Sequence, residues 1–223
     1  MTDIPVGKII RSRRRTIALE ITPDATLVVR APLHAPFAYI EELIRQKSSW
    51  ILRKMDEMKQ LPLAFDREYT QGEMFLFLGR SYPLQIVEDR NIKIERTDRL
   101  YVSAMLIPNI RHHIKKWYFE EAQKEIQARC MWFSLKTGYV PSSIRISDAR
   151  RRWGSCTNAG RLNFSWRLIQ APLEIVDYVI VHELVHISQP DHSKKFWDQI
   201  RKIMPDYEQH RNWLKDHEWL LKI

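Results

Sequence analysis

The sequence is poor in the residues that build disulfide staples, nucleotide loops and membrane spans. Only 2 of its 223 residues are cysteine. Cys130 and Cys156 show no Cys-x-x-Cys spacing, so neither a disulfide framework nor a thiolate zinc knuckle is expected, and both read as reduced, core-filling thiols. Glycine is equally scarce, 6 in all. None falls in the spacings that let a backbone wrap a nucleotide phosphate, which excludes Rossmann and P-loop sites. No apolar run approaches the roughly 18 residues needed to cross a bilayer. The N-terminal stretch also lacks the apolar segment of a secretory signal, because Lys8 leads instead to Arg11, Arg13, Arg14 and Arg15. A cytoplasmic protein with no membrane contact is expected.

What remains is ordinary globular material, with 44% hydrophobic and 28% charged residues, enough for one well-filled core or two small ones. Lys and Arg number 36 against 27 acidic residues, a net charge of +9. Such an excess attracts anions without reading their identity. Weak, salt-sensitive binding of nucleic acid or nucleotides through basic segments is the corresponding expectation.

The first third alternates like a sheet. Thr16 to Thr22 and Thr26 to Arg30 place β-branched residues at every second position around Pro23-Asp24-Ala25, which predicts a hairpin. Helical spacing runs from Ala35 to Gln60, with Pro62 just beyond. Two more hairpins are expected. Met74 to Leu78 pairs with Tyr82 to Val87 about Gly79-Arg80-Ser81, and Asn91 to Ile94 pairs with Arg99 to Ser103. From Ile110 to Cys130 apolar residues recur at helical intervals until Gly138 and Pro141. This helix opens a second region, so the division is drawn as a β-rich part, residues 1–103, and a helical part, residues 104–223. Strands are expected at Ile144 to Ala149 and Leu162 to Leu168, around an Arg-rich segment, Arg150 to Gly160, whose Gly154 and Asn158-Ala159-Gly160 read as turns. Three helices follow.

The chemistry sits in the first of these. His182-Glu183-Leu184-Val185-His186 is a His-Glu-x-x-His zinc pattern, which arises by accident in roughly two sequences per hundred of this composition. Residues four apart share a helix face, so two imidazoles can address one ion while Glu183 reaches a water beside it. Leu173, Val176, Ile180, Leu184 and Ile187 form an apolar stripe, and Ile175 and Val179 line the side that carries the histidines. The helix is therefore buried nearly all round, where unpaired imidazoles and a carboxylate would be costly. Pro190 ends the helix, and His192 stands where the chain can turn back to the ion, held by a following helix that Ser193 can cap. Glu208, His210 and His217 compete with His192 as third ligand, and Cys156 is the one thiol that could close the site with a fourth.

Arg151-Arg152-Trp153-Gly154-Ser155-Cys156, Leu162 through Leu168 and Tyr178 through Trp197 resemble the corresponding segments of YgjP-like metallopeptidases, relatives of the SprT-like and Wss1-like zincins. Arg14-Arg15-Thr16-Ile17 and Val29-Arg30-Ala31-Pro32 look like that family's opening hairpin. The resemblance implies an α+β, zincin-like fold, with a hairpin-rich N-terminal portion and a helical C-terminal catalytic portion. It implies His182, His186 and His192 as zinc ligands and Glu183 as general base, activating a metal-bound water to hydrolyse peptide or protein substrates. Two alternatives stay open: a metal-dependent phosphoanhydride hydrolase acting on nucleoside triphosphates, and a basic nucleic-acid-associated protease or scaffold. The segment Arg151 to Cys156 is a candidate edge for an extended peptide, and Arg150, Arg151 and Arg152 are candidates for holding anions.

Overall fold

The structure, a computed structural model, describes residues 4–22, 25–60, 67–89, 91 and 93–217. Pro23, Asp24, Pro62 and Ile92, which carry part of the expected turns, helix stop and third hairpin, lie outside these residues. The chain forms two compact units, Met1–Arg67 and Glu68–Ile223.

In the first unit, strands β1 (Val6–Ser12), β2 (Ala18–Ile21) and β3 (Leu27–Pro32) form a sheet in the order β1-β3-β2. The period-two pattern sends Leu27, Val29 and Ala31 into a core shared with Ile40, Ile51 and Met55. The β2–β3 pair is the expected hairpin. β1, parallel to β3, was not apparent because its Lys8 and Arg11 break any alternation. The expected single helix is two, α1 (Phe37–Gln46) and α2 (Ser48–Gln60), since Lys47 leaves helical geometry at φ −100°, ψ 9°.

The second unit begins with β4 (Met74–Phe77), β5 (Arg80–Val87), β6 (Ile94–Arg96) and β7 (Leu100–Ser103). The two expected hairpins fuse into one sheet, β4-β5-β7-β6, through a parallel β5–β7 pair. The first turn is Leu78-Gly79, one residue earlier than the Gly79-Arg80-Ser81 expected, and both residues have positive φ, 46° and 75°. Leu78 and Gly79 donate their backbone N–H groups to Ile169 and Gln170 carbonyls at 2.7 and 3.2 Å.

Phe75, Phe77, Leu84, Leu100 and Val102 join one core with the long helix α3 (Ile110–Thr137). The boundary drawn at 103/104 therefore differs from the observed division at 67/68. Sheet β4–β7 has an apolar face that α3 covers through Ile110, Ile114, Trp117 and Tyr118, and a hydroxyl-to-backbone bond from Tyr118 to Leu76, 2.7 Å, ties the two. Helix α3 ends as its sequence predicts, at Gly138 in the left-handed region, φ 77°.

Strands β8 (Ser143–Ser147), β9 (Gly154–Cys156) and β10 (Arg161–Ser165) form a third sheet in the order β8-β10-β9, which leaves β9 at an edge. Helix α4 (Leu173–Val185) follows a buried 3-10 turn, Trp166–Gln170. As expected it is buried on nearly all sides, from Ile175 through Val181 and again at Glu183 through Val185, although Leu173 is largely exposed. Asp177, one of two buried acids on α4, meets Arg129 of α3 in a two-pronged ion pair at 2.7 and 2.5 Å. Helices α5 (Lys194–Ile203) and α6 (Tyr207–Asp216) complete the unit. The described residues thus form a mixed α+β architecture of six helices and three small sheets. Among them no helix is long and apolar enough to cross a membrane.

The hairpin turn doubles as a brace for α4, because a methyl group on Gly79 would stand 2.9 Å from Pro172 Cα at the start of that helix. Gly138 shares the positive φ but has open space around it. Gly138→Ala should therefore cost about 1 kcal/mol, the conformational share alone. Gly79→Ala should cost roughly 2–3 kcal/mol, measured by urea unfolding; equal losses would show that the Pro172 contact contributes nothing.

Candidate metal centre

Helix α4 delivers His182 and Glu183 from its last turn, and His186 stands at its C-cap with φ −60°, ψ −19°. The helix ends before Pro190, and the chain tightens through bonds from the N–H groups of Ile187, Ser188 and Gln189 to Leu184 and Val185 carbonyls. Because Pro190 keeps Gln189 out of helical geometry, the Gln189 carbonyl faces back to His186 Nδ1 at 2.9 Å. Accepting a hydrogen bond there, it fixes the proton on Nδ1 and leaves the Nε2 lone pair free. His192 returns on the next turn. Ser193 occupies the N-cap of α5, but its side chain makes no cap bond; instead Asp191 Oδ1 accepts from the Ser193 N–H at 3.1 Å.

The three rings meet. His182 Nε2 lies 3.2 Å from His186 Nε2 and 3.0 Å from His192 Nε2, and one ligand atom from each falls within 4.8 Å of the others. One proton on His182 Nε2 cannot bridge both neighbours, and His186 offers only a lone pair. A cation resolves the conflict: a tetrahedral zinc-like ion with bonds of about 2.05 Å sets its nitrogens about 3.3 Å apart. His182 Nδ1 is buried without a hydrogen-bond partner among the described residues, so the ring's useful contact is through Nε2. Burial, reinforced by His186, His192 and Arg211, pushes the His182 pKa down to about 3. The ring is thus neutral at physiological pH and has no proton to displace on binding a metal.

Phe196, fully buried on α5, packs against all three imidazoles with centroids 4.5–4.9 Å away. Trp197 stacks on His192 at 5.7 Å and on Tyr207 at 5.4 Å. Together they are the wall that orients the rings. The other candidate ligands are engaged elsewhere. Glu208 accepts from the Tyr207 hydroxyl at 3.1 Å, His210 approaches Asp206 at 3.3 Å, and His217 approaches the Trp213 carbonyl at 2.7 Å. Cys156 lines the same cleft, but its thiol donates to the Thr157 carbonyl, 3.4 Å away, and it stands outside the three-histidine cluster.

Glu183 is only 6% exposed. Burial pushes its pKa up to about 8, the charge of Arg152 opposing. Its carboxyl rests on β9: a methyl group on Gly154 would come within 2.7 Å of both Glu183 Cγ and Oε1. Gly154, read from the sequence as a turn residue, is instead the strand position that makes room for this acid, whereas Gly160, φ 69°, does make the turn. A glycine inside a strand is a known mark of close backbone approach. The cleft over the site holds about 430 Å³ between α4 and β9, with Ile187 and Pro190 on its rim.

Residues 15–217 match the sequence profile of the YgjP-like, metallopeptidase domain, which makes the protein a metallopeptidase. The chain belongs to the YgjP-like family, and a family of this kind requires a metal ion. Among solved structures, the crystal structure of the metallopeptidase zymogen of Pyrococcus abyssi abylysin is similar, with 18% identity, a TM-score of 0.37, and coverage of 40% of this chain and 90% of that one. No curated protein matches the chain.

The sign of the pH effect follows from the raised Glu183 pKa. Below pH 4.5 the acid is protonated folded or unfolded; between 4.5 and about 8 the unfolded chain releases a proton that the fold retains, so stability falls as pH rises through that window. In the metal-free protein, Glu183→Gln should add roughly 3 kcal/mol at pH 7 and nothing below pH 4.5. Denaturant melts at the two pH values check this, and an equal effect at both would contradict it.

Proposed function

We propose that the protein is a zinc-dependent peptidase in which His182, His186 and His192 hold the ion and Glu183 is the general base. The observation that carries this reading is the meeting of three imidazole nitrogens in a cleft whose facing wall is an edge strand. Three neutral imidazoles suit zinc, whereas magnesium prefers carboxylate and phosphate oxygens. An ion held there by His182, His186 and His192 would supply Lewis acidity, lowering the pKa of a water to about 7 and polarising a carbonyl oxygen.

The chain's own part begins with β9. An extended peptide pairs with its free edge by main-chain hydrogen bonds, which places a scissile carbonyl beside the cluster. Glu183 takes the proton of the attacking water and returns it to the departing amine nitrogen. Its place in the cleft beside the three histidines suits this task. Gly154 fixes the carboxylate between helix and strand, and Phe196 holds the rings in place. Both cysteines are free, in keeping with a reducing, cytoplasmic setting. Binding of nucleic acid by the +9 charge would be weak and would fall steeply with salt.

Purified protein should carry one zinc per chain and cleave a casein-derived peptide mixture. His182→Ala should lose the metal. Glu183→Gln should keep it and lose turnover by 10²- to 10⁴-fold; an unchanged rate would remove the assigned base. Gly154→Ala should retain zinc while turnover falls at least about tenfold, because the new methyl displaces the Glu183 carboxylate.

A further inference from the structure

β9 borders a second cavity. It also holds about 430 Å³, and its polar lining is Arg152, Ser147, Ser155, Asn163 and Ser165. Gly154 and Ser155 line both cavities, so a peptide paired with β9 runs past each of them. Its successive side chains point to opposite faces, which lets one residue address the metal cluster while a neighbour enters the second cavity.

The chemistry of that cavity is one-sided. It offers a guanidinium, three hydroxyls and an amide, and no carboxylate lines it. Arg152 makes no hydrogen bond or ion pair with the described residues. Glu183 feels the Arg152 charge without pairing with it, and Asp148 is already committed, accepting from Arg167 at 2.6 Å, Trp166 at 2.8 Å and Lys115 at 2.7 Å. Partial burial opposes its ionisation, but these donors hold its carboxyl well below the usual range.

The segment carrying Arg152 is also fixed in place. Ser165 donates its N–H to the Trp153 carbonyl and its hydroxyl to the Ala149 carbonyl, both at 2.8 Å, and Asp148 just before it is anchored on the buried Arg167. Arg150, Arg151 and Arg152 thus stand between two pinned points. Arg152 is exposed on this fixed backbone and shares the cavity with the Ser155 hydroxyl and the Asn163 amide, and its guanidinium can grip a planar anion with two parallel hydrogen bonds.

We propose that this second cavity is a recognition pocket for a carboxylate of the peptide lying along β9, with Arg152 as its specificity-determining residue. The inference rests on the peptidase reading for the peptide's path. The carboxylate comes from an Asp or Glu side chain or from the peptide's own C-terminus, and both present the same two oxygens.

Binding and cleavage separate the two claims. The full-length, zinc-loaded Glu183→Gln protein is titrated calorimetrically with blocked, alanine-based heptapeptides: one set carrying a single Glu at successive positions with an amidated C-terminus, the matching Gln set, and a neutral peptide with a free C-terminus. A carboxylate should tighten binding roughly tenfold at one position. The Glu set identifies a side-chain source and the free terminus a terminal one. Adding Arg152→Gln should shrink the ratio below about twofold, and Arg152→Lys should restore part of it. Equal binding of Glu and Gln peptides together with equal binding of free and amidated termini overturns the pocket, as does a preference that survives Arg152→Gln. Peptide cleavage by the chain with Glu183 intact is scored apart. Cleavage without carboxylate preference removes the pocket and spares the peptidase, carboxylate-selective binding without cleavage does the reverse, and absence of all binding removes both.

Discussion

Three imidazole lone pairs directed at one point repel one another, and the cation proposed to sit among His182, His186 and His192 would relieve that repulsion. Much of the second unit serves that convergence. The apolar girth of α4 fixes two rings on a helix that cannot roll. Pro190 turns the chain so that the Gln189 carbonyl selects the His186 tautomer. Phe196 fills the space behind all three rings, and Trp197 with Tyr207 braces His192 from its exposed side.

The acid beside them carries the opposite cost. Burying Glu183 works against folding at neutral pH, and the fold accommodates it by leaving out a side chain at Gly154. If Glu183 is the base proposed, this is a local sacrifice of stability in favour of function. The same glycine opens the β9 backbone to a neighbour, so one small residue joins the placement of the proposed base to the proposed path of the substrate.

The centre was legible in the sequence because its spacing is helical: four residues bring His182 and His186 to one face, and a proline before His192 announces the return of the chain. The roles of Gln189 and Gly154 were not legible, since a carbonyl has no side-chain signature and a strand glycine beside an Arg-rich segment looks like a turn. The fold divides in the same way. β3 and α3 follow from periodicity and from Gly138, whereas the parallel pairs β1–β3 and β5–β7 join strands distant in sequence, and alternation does not say which strand is a neighbour. The break at Lys47 lies inside an unbroken apolar pattern, and the grouping of sheet β4–β7 with α3 depends on which apolar faces meet. His192 is the intermediate case, singled out by offset but separated from Glu208, His210 and His217 only by the contacts those three make elsewhere.

The most direct test of the central claim is X-ray absorption at the zinc edge of the purified, zinc-loaded protein. One zinc is expected, with three imidazole nitrogens at about 2.0–2.1 Å and a light oxygen scatterer in the remaining position. A sulfur shell at about 2.3 Å, a fourth imidazole, or a zinc that washes out as readily from the native protein as from His182→Ala would contradict it.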